Sequence, residues 1–276
     1  MKNKMIVAGI VIVFFLLAGL GYIIFSSFSG VPVLNYHQIN DEAHNALTLS
    51  SYEFDAQMAY LYKAGYTTIS PDQLLDNLQY GKPLPQNPIL ITFDDGYEDN
   101  YQVAYPILQK YHFTATIFLI TDFVGRNGRY VSWRQVREMQ DNGFSFQSHT
   151  LSHILLAKAS DEEVTSQLTG SKEALEWRLG KKADYLAYPG GVYDQRVINL
   201  TKQAGYRAAF TINLGRNTKE CGLFTLNRIP IFEASHTLLR FWLRLKFTET
   251  FSALQNFKSY LRKNGVSSLA NLIYVP

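Results

Sequence analysis

Short apolar runs alternate with longer amphipathic stretches along most of this chain, and that rhythm predicts its architecture. Runs at 31–36, 66–69, 89–93, 115–120, 144–147, 186–188, 208–212 and 226–231 read as strands. Between them 51–64, 71–80, 100–111, 132–142, 160–179 and 194–204 read as helices, two opening on capping-box pairs, Ser132 with Gln135 and Ser160 with Glu163. Strand and helix in alternation build βα units and a parallel sheet. With about seven such units, and no glycine-rich phosphate loop after any strand, closure into a (β/α) barrel is expected over an open doubly wound sheet. In a barrel, reactive side chains gather where the strands end. The stretch 235–265 reads as two more helices, with Phe251, Leu254, Phe257 and Leu261 on one face of the second.

Residues 1–30 stand apart. Lys2 and Lys4 precede an uninterrupted apolar run at 5–25, which as a helix rising ~1.5 Å per residue just crosses a ~30 Å bilayer core. The run is apolar all round and longer than the roughly 7–15 apolar residues of a cleavable signal; Ser26-Ser27-Phe28-Ser29-Gly30 after it is a poor cleavage site. A signal anchor is expected, with a cleaved signal peptide as the alternative. Either places residues 31–276, read as a single domain, on the extracellular side, membrane-held or secreted.

Composition narrows the function classes. At 276 residues and 47% hydrophobic the chain can bury one large core. A net charge of +3 is too weak and dispersed for a nucleic-acid partner. Cys221 is the only cysteine, so no intramolecular disulfide forms and the core must carry stability.

The chemistry concentrates in Thr92-Phe93-Asp94-Asp95-Gly96 and His149-Thr150-Leu151-Ser152-His153. Adjacent carboxylates at the mouth of an apolar strand repel each other unless a cation or proton is shared. Gly96 permits the turn that lets them diverge, so that one binds a metal and the other takes a proton. Asp95 or Asp99 capping the following helix is the plain structural alternative. Histidines four apart share one side of a helical turn and can reach a single ion, although such spacing alone also describes two ordinary histidines. The glutamate of the H-E-x-x-H proteases is missing, since Thr150 holds its place. An Asp-His-His set with open positions suits Zn2+, and also Fe2+, Co2+ or Ni2+.

Together with Tyr188-Pro189-Gly190-Gly191, these segments resemble the first three motifs of the NodB-type polysaccharide deacetylases, carbohydrate esterase family four, in ordered succession over 31–231. The resemblance implies a distorted (β/α) barrel that removes N-acetyl groups from amino-sugar polymers. By motif position Asp94 would be the general base and Asp95, His149 and His153 the metal ligands. Tyr188, Pro189 and Gly190 would face the substrate, a backbone N–H there holding the oxyanion. The arginine common before the third motif's proline is absent, and Arg228 in Asn227-Arg228-Ile229-Pro230-Ile231 is the candidate substitute, a surface arginine being the alternative. Val31-Pro32-Val33-Leu34-Asn35-Tyr36-His37 resembles the opening of the subgroup acting on poly-β-1,6-N-acetyl-D-glucosamine, the intercellular adhesin of biofilms. There the histidine of the Tyr-His pair is the general acid, which favours His37 over His236. The expected partners are an N-acetylglucosamine polymer, the membrane, and a polysaccharide synthase with its export machinery. Rival readings are a peptidoglycan or chitin deacetylase, a glycoside hydrolase, and a catalytically silent carbohydrate-binding protein.

Overall fold

The computed structural model describes residues 30–43, 45–231 and 237–273. Its frame is a ring of parallel strands: β1 (Val33–Tyr36), β5 (Pro88–Asp95), β6 (Thr116–Leu119), β7 (Ser145–Ser148), β8 (Tyr185–Ala187), β9 (Ala208–Leu214) and β10 (Leu226–Pro230). β1 closes the ring by pairing with β10 on one side and β5 on the other, in the register Val33↔Leu90 through Tyr36↔Phe93. The expected barrel of seven strands is therefore the observed one. The strand expected at 66–69 contributes only β4 (Thr67–Thr68), spliced onto the start of β5 rather than entering the ring. Two short strands, β2 (Gln38–Ile39) and β3 (Thr48–Leu49), form a separate ladder just after β1. No helix separates β9 from β10, which breaks the βα alternation on that side.

Strand parity sorts the side chains of β5 into two jobs. Ile89, Ile91 and Phe93 point outward into a cluster with Phe54, Met58, Leu61, Leu108, Val136 and Leu175 from the surrounding helices. Leu90 points inward, to Val33, Phe118, Tyr185, Phe210 and Leu226. Leu74, Leu75 and Leu78 of the helix Pro71–Tyr80 join this inner cluster, so the interior is a packed core with an apolar floor. Each large apolar side chain so buried contributes roughly 1.5–3 kcal/mol. Thr92 and Asp94 share the parity of Leu90, and parity alone carries Asp94 toward the barrel axis.

The helices start where capping chemistry places them. Ser132 and Gln135 form the full reciprocal box; Ser160 accepts from the Glu163 N–H without the return bond, and Ser70 with Gln73 makes a second complete box. The helix expected at 100–111 opens as a π-helical turn, Asn100–Ala104, before α-helix resumes at Tyr105–Lys110. Pro106 has no N–H to return to the preceding turn, and the Tyr105 N–H reaches back to Asn100 O instead. The C-terminal pair appears as Leu238–Lys246 and Thr248–Lys263, followed by an unforeseen helix, Ser267–Leu272. Of the expected stripe on the second, Phe251 packs on the core while Phe257 stays 52% exposed. Among the described residues no helix is long and apolar enough to cross a membrane; the expected anchor at 5–25 lies outside them.

Candidate active site and metal centre

Asp94 and Asp95 end β5 and part company within one residue. Asp94 keeps strand geometry and points inward, whereas Asp95 has φ 72° and Gly96 φ 75°, with the Gly96 N–H donating back to Asp94 O at 2.9 Å. The turn thus begins at Asp95 itself, a conformation that costs a non-glycine residue on the order of 1–3 kcal/mol. Glycine is required next, because a Cβ there would sit 2.4 Å from Leu119 Cδ2.

Arg228 grips Asp94 from β10, 134 residues away in the chain. Its Nη1 and Nη2 donate to Oδ1 and Oδ2, each at 2.7 Å, Nε donates to Thr211 O at 2.7 Å, and Nη1 also reaches Thr92 Oγ1 at 3.3 Å. The guanidinium is wholly buried and lies over the Phe118 ring. The surface alternative for Arg228 is therefore overturned: parity with Leu226 sends it into the barrel. Burial by itself would raise the Asp94 pKa, but the Arg228 charge with its paired hydrogen bonds holds the carboxyl well below the usual range.

Asp95 is left in the opposite condition. Its Oδ1 is buried without a hydrogen-bond partner among the described residues, 3.4 Å from His149 Nε2 and 3.5 Å from His153 Nε2. The three ligand atoms lie within 4.8 Å of one another. An orphaned carboxylate oxygen facing two imidazole nitrogens is what a divalent cation would complete, so the residues fit the metal expected of them. His149 Nδ1 lies 2.8 Å from Ala187 O, which makes Nδ1 the protonated nitrogen and turns the Nε2 lone pair to the cluster. Burial pulls the His149 pKa below its ordinary value despite the nearby aspartates, which keeps the ring neutral as a ligand must be.

The two histidines do not converge on a helical turn, as their spacing implied. They sit on an irregular loop after β7 in which Thr150 has φ 68° and His153 φ 62°. The loop is pinned at every step: Thr150 N–H to Ser148 Oγ, His153 N–H to Thr150 Oγ1, and Ser152 in two bonds with Gln167 of the helix Asp161–Leu179. The backbones of Thr121 and Asp122, beyond β6, donate to Thr150 O and Leu151 O. Asp95, Thr150 and His153 thus hold half of the six positive-φ non-glycine positions among the described residues, and all of them serve this cluster.

His37 follows β1 and enters the same site, Nε2 3.9 Å from Asp94 Oδ2 and Nδ1 buried without a partner among the described residues. Tyr36 anchors the pair from the outer core, donating to Gln57 Oε1 at 2.7 Å, and Asn100 in the π-turn holds the His37 carbonyl at 2.8 Å. The third motif departs from expectation. Tyr188 is fully buried, its hydroxyl bonded to Phe224 O, its ring stacked on Tyr193 and its N–H donated to Phe210 O. It is a core residue and cannot be the oxyanion donor. Pro189 has no N–H, and Gly190 is exposed. Neither Asp95 nor Asp99 caps a helix; Asp99 accepts from Asn40 at 2.7 Å instead. His236 lies outside the described residues. Cys221 packs with its thiol toward Arg216 O.

Several supporting residues escaped the motif reading. Thr92 and Thr211 orient Arg228, Ser148 and Gln167 fix the histidine loop, and Tyr97 lies against Asp95 in a stack with Tyr130. Thr92 shared the parity of Asp94 and could have been found; the others are joined to the site only by the fold.

Comparison with known proteins accords with this geometry. The family described as Polysaccharide deacetylase matches residues 81–209. YxkH of Bacillus subtilis, which carries the polysaccharide deacetylase name, is 33% identical over 201 residues, 73% of this chain and 71% of the relative. A poly-β-1,6-N-acetyl-D-glucosamine N-deacetylase of Staphylococcus epidermidis is 28% identical over 237 residues, 76% of this chain and 82% of the relative. Among solved structures, the Streptococcus pyogenes deacetylase PplD in complex with acetate superposes with a TM-score of 0.71 at 31% identity, covering 74% of this chain and 93% of that one. The chain belongs to the polysaccharide deacetylase family, metal-dependent hydrolases that cleave the amide bonds of N-acetylated sugars.

Proposed function

We propose that this chain is an N-deacetylase of poly-β-1,6-N-acetyl-D-glucosamine, working with zinc at the outer face of the cell membrane. The observation that carries the reading is the division between Asp94, ionised and fully partnered, and Asp95, orphaned beside two imidazoles. The relative named for that polymer supports the choice of substrate. Asp95, His149 and His153 would hold the ion. When bound, it supplies Lewis-acid polarisation of the acetamide oxygen and lowers the pKa of an adjacent water toward ~7.

The chain's own residues do the rest. Asp94 accepts the proton of the attacking water while Arg228 keeps both carboxylate oxygens aimed. The same guanidinium weakens the carboxylate's hold on a proton, so Asp94 serves as an always-ionised acceptor rather than a strong base. The Gly190 N–H donates to the oxygen on which charge develops. His37, whose Nε2 lies 3.9 Å from Asp94 Oδ2, gives a proton to the departing sugar amine as the C–N bond breaks. The products are acetate and a glucosamine unit. Residues 5–25 tether the domain where a polymer leaves its synthase and export machinery, and the ammonium groups created there favour adhesion to anionic surfaces.

One assay tests the reading. The purified full chain is incubated with β-1,6- and β-1,4-linked N-acetylglucosamine oligomers, and acetate and chain length are followed. Acetate from the β-1,6 oligomer at constant length supports it; shortened sugars would show a glycoside hydrolase, and preference for the β-1,4 oligomer would move the substrate to chitin or peptidoglycan.

A further inference from the structure

Three consecutive residues of β9 connect the catalytic carboxylate to a groove outside the barrel. Thr211 O holds Arg228 Nε, Ile212 packs so tightly on Gly191 that a Cβ there would sit 2.3 Å from Ile212 Cγ1, and Asn213 lines the groove. The groove runs between the outgoing end of β9 and the helix Thr248–Lys263 and encloses about 550 Å3, within the ~300–1,000 Å3 of small-molecule sites. Its polar lining is Asn213, Asn227, Ser252, Gln255, Asn256 and Ser259, and no charged side chain among the described residues joins them.

The helix contributes its four at i, i+3, i+4 and i+7, one continuous stripe. Phe251 of the same helix packs on the core, so this stripe is the helix's outer shoulder: amides and hydroxyls, with Gln255, Asn256 and Ser259 exposed and Ser252 half-buried, and none of the four side chains hydrogen-bonds another described residue. Groups of this kind, donors and acceptors without charge, match the hydroxyl and acetamide groups of a neutral sugar. They match a de-N-acetylated unit less well, because its ammonium meets no carboxylate among the described lining residues. Resting on the deacetylase reading above, we infer that this groove is a subsite for N-acetylated sugar units flanking the one being cleaved. It makes the enzyme prefer still-acetylated stretches of polymer.

The test uses the full chain and the double variant Gln255→Ala/Asn256→Ala, whose alanines preserve helix propensity and touch no catalytic group. KM and kcat are measured on an N-acetylglucosamine hexamer and on 4-nitrophenyl acetate. The hexamer KM is expected to rise about tenfold, with kcat and aryl acetate hydrolysis unchanged. An unchanged hexamer KM, or an equal loss on both substrates, overturns the subsite. Calorimetry keeps the two readings apart: should the wild type release no acetate from any oligomer, the function fails, yet the groove still stands if the acetylated hexamer binds and the double variant weakens it. Binding equal in wild type and variant, or equal for acetylated and de-N-acetylated hexamers, sinks the groove alone.

Discussion

Asp94 and Asp95 are consecutive in the chain, but the fold completes the first and leaves the second open. Asp94 has both oxygens bonded to one buried guanidinium in relaxed strand geometry, whereas Asp95 sits at positive φ with a buried oxygen that no described residue satisfies. The first arrangement suits a proton acceptor held in one orientation; the second suits a cation. Adjacent positions in sequence thus acquire different chemistry because a single turn, at Asp95 and Gly96, points one into the barrel and the other at the histidine loop.

That contrast can be broken from either side. The largest effect is expected on the open side: chelation should abolish acetate release and zinc readdition restore it, and indifference to chelator would remove the roles of Asp95, His149 and His153 together. On the closed side, Arg228→Met leaves a buried carboxylate uncompensated and should cost roughly 3–5 kcal/mol in denaturant unfolding. A loss under ~1 kcal/mol would mean that the pair contributes little to holding β5 against β10. A smaller effect tests the scaffold of the ligand loop: Gln167→Leu should weaken metal affinity about tenfold, read by competition with a chromogenic chelator, while unfolding changes little. The smallest is the acid limb of stability. The folded pKa of Asp94 is depressed, so its stabilising contribution is complete above the unfolded carboxyl value of ~3.9 and fades as pH falls below it. In Asp94→Asn the stability curve should be flatter below about pH 4; an identical slope would contradict the shift.

What the sequence made legible follows from what periodicity encodes. Apolar runs located every strand of the ring, because a strand buried on both faces is written as such a run. The same runs could not say which face is the interior, so Arg228 stayed undecided until the closure of β1 on β5 and β10 fixed it. The spacing of His149 and His153 predicted that their imidazoles meet, and they do, but not on a helical turn: left-handed residues at Thr150 and His153 leave no periodic trace, and the loop that holds them is built by Ser148 and Gln167. Tyr188 shows the reverse failure. A motif aromatic read as a substrate contact is packed and hydrogen-bonded within the core.

The central claim is that the two aspartates divide the work, and Asp94→Asn tests it most directly. The amide keeps the size of the carboxylate and leaves Asp95, His149 and His153 untouched. Metal content and acetate release from a β-1,6-linked N-acetylglucosamine oligomer are to be measured on the same preparation. The account predicts one ion retained per chain, with kcat lower by about 10²–10⁴-fold. Wild-type-like turnover, or turnover and metal lost together, would contradict it.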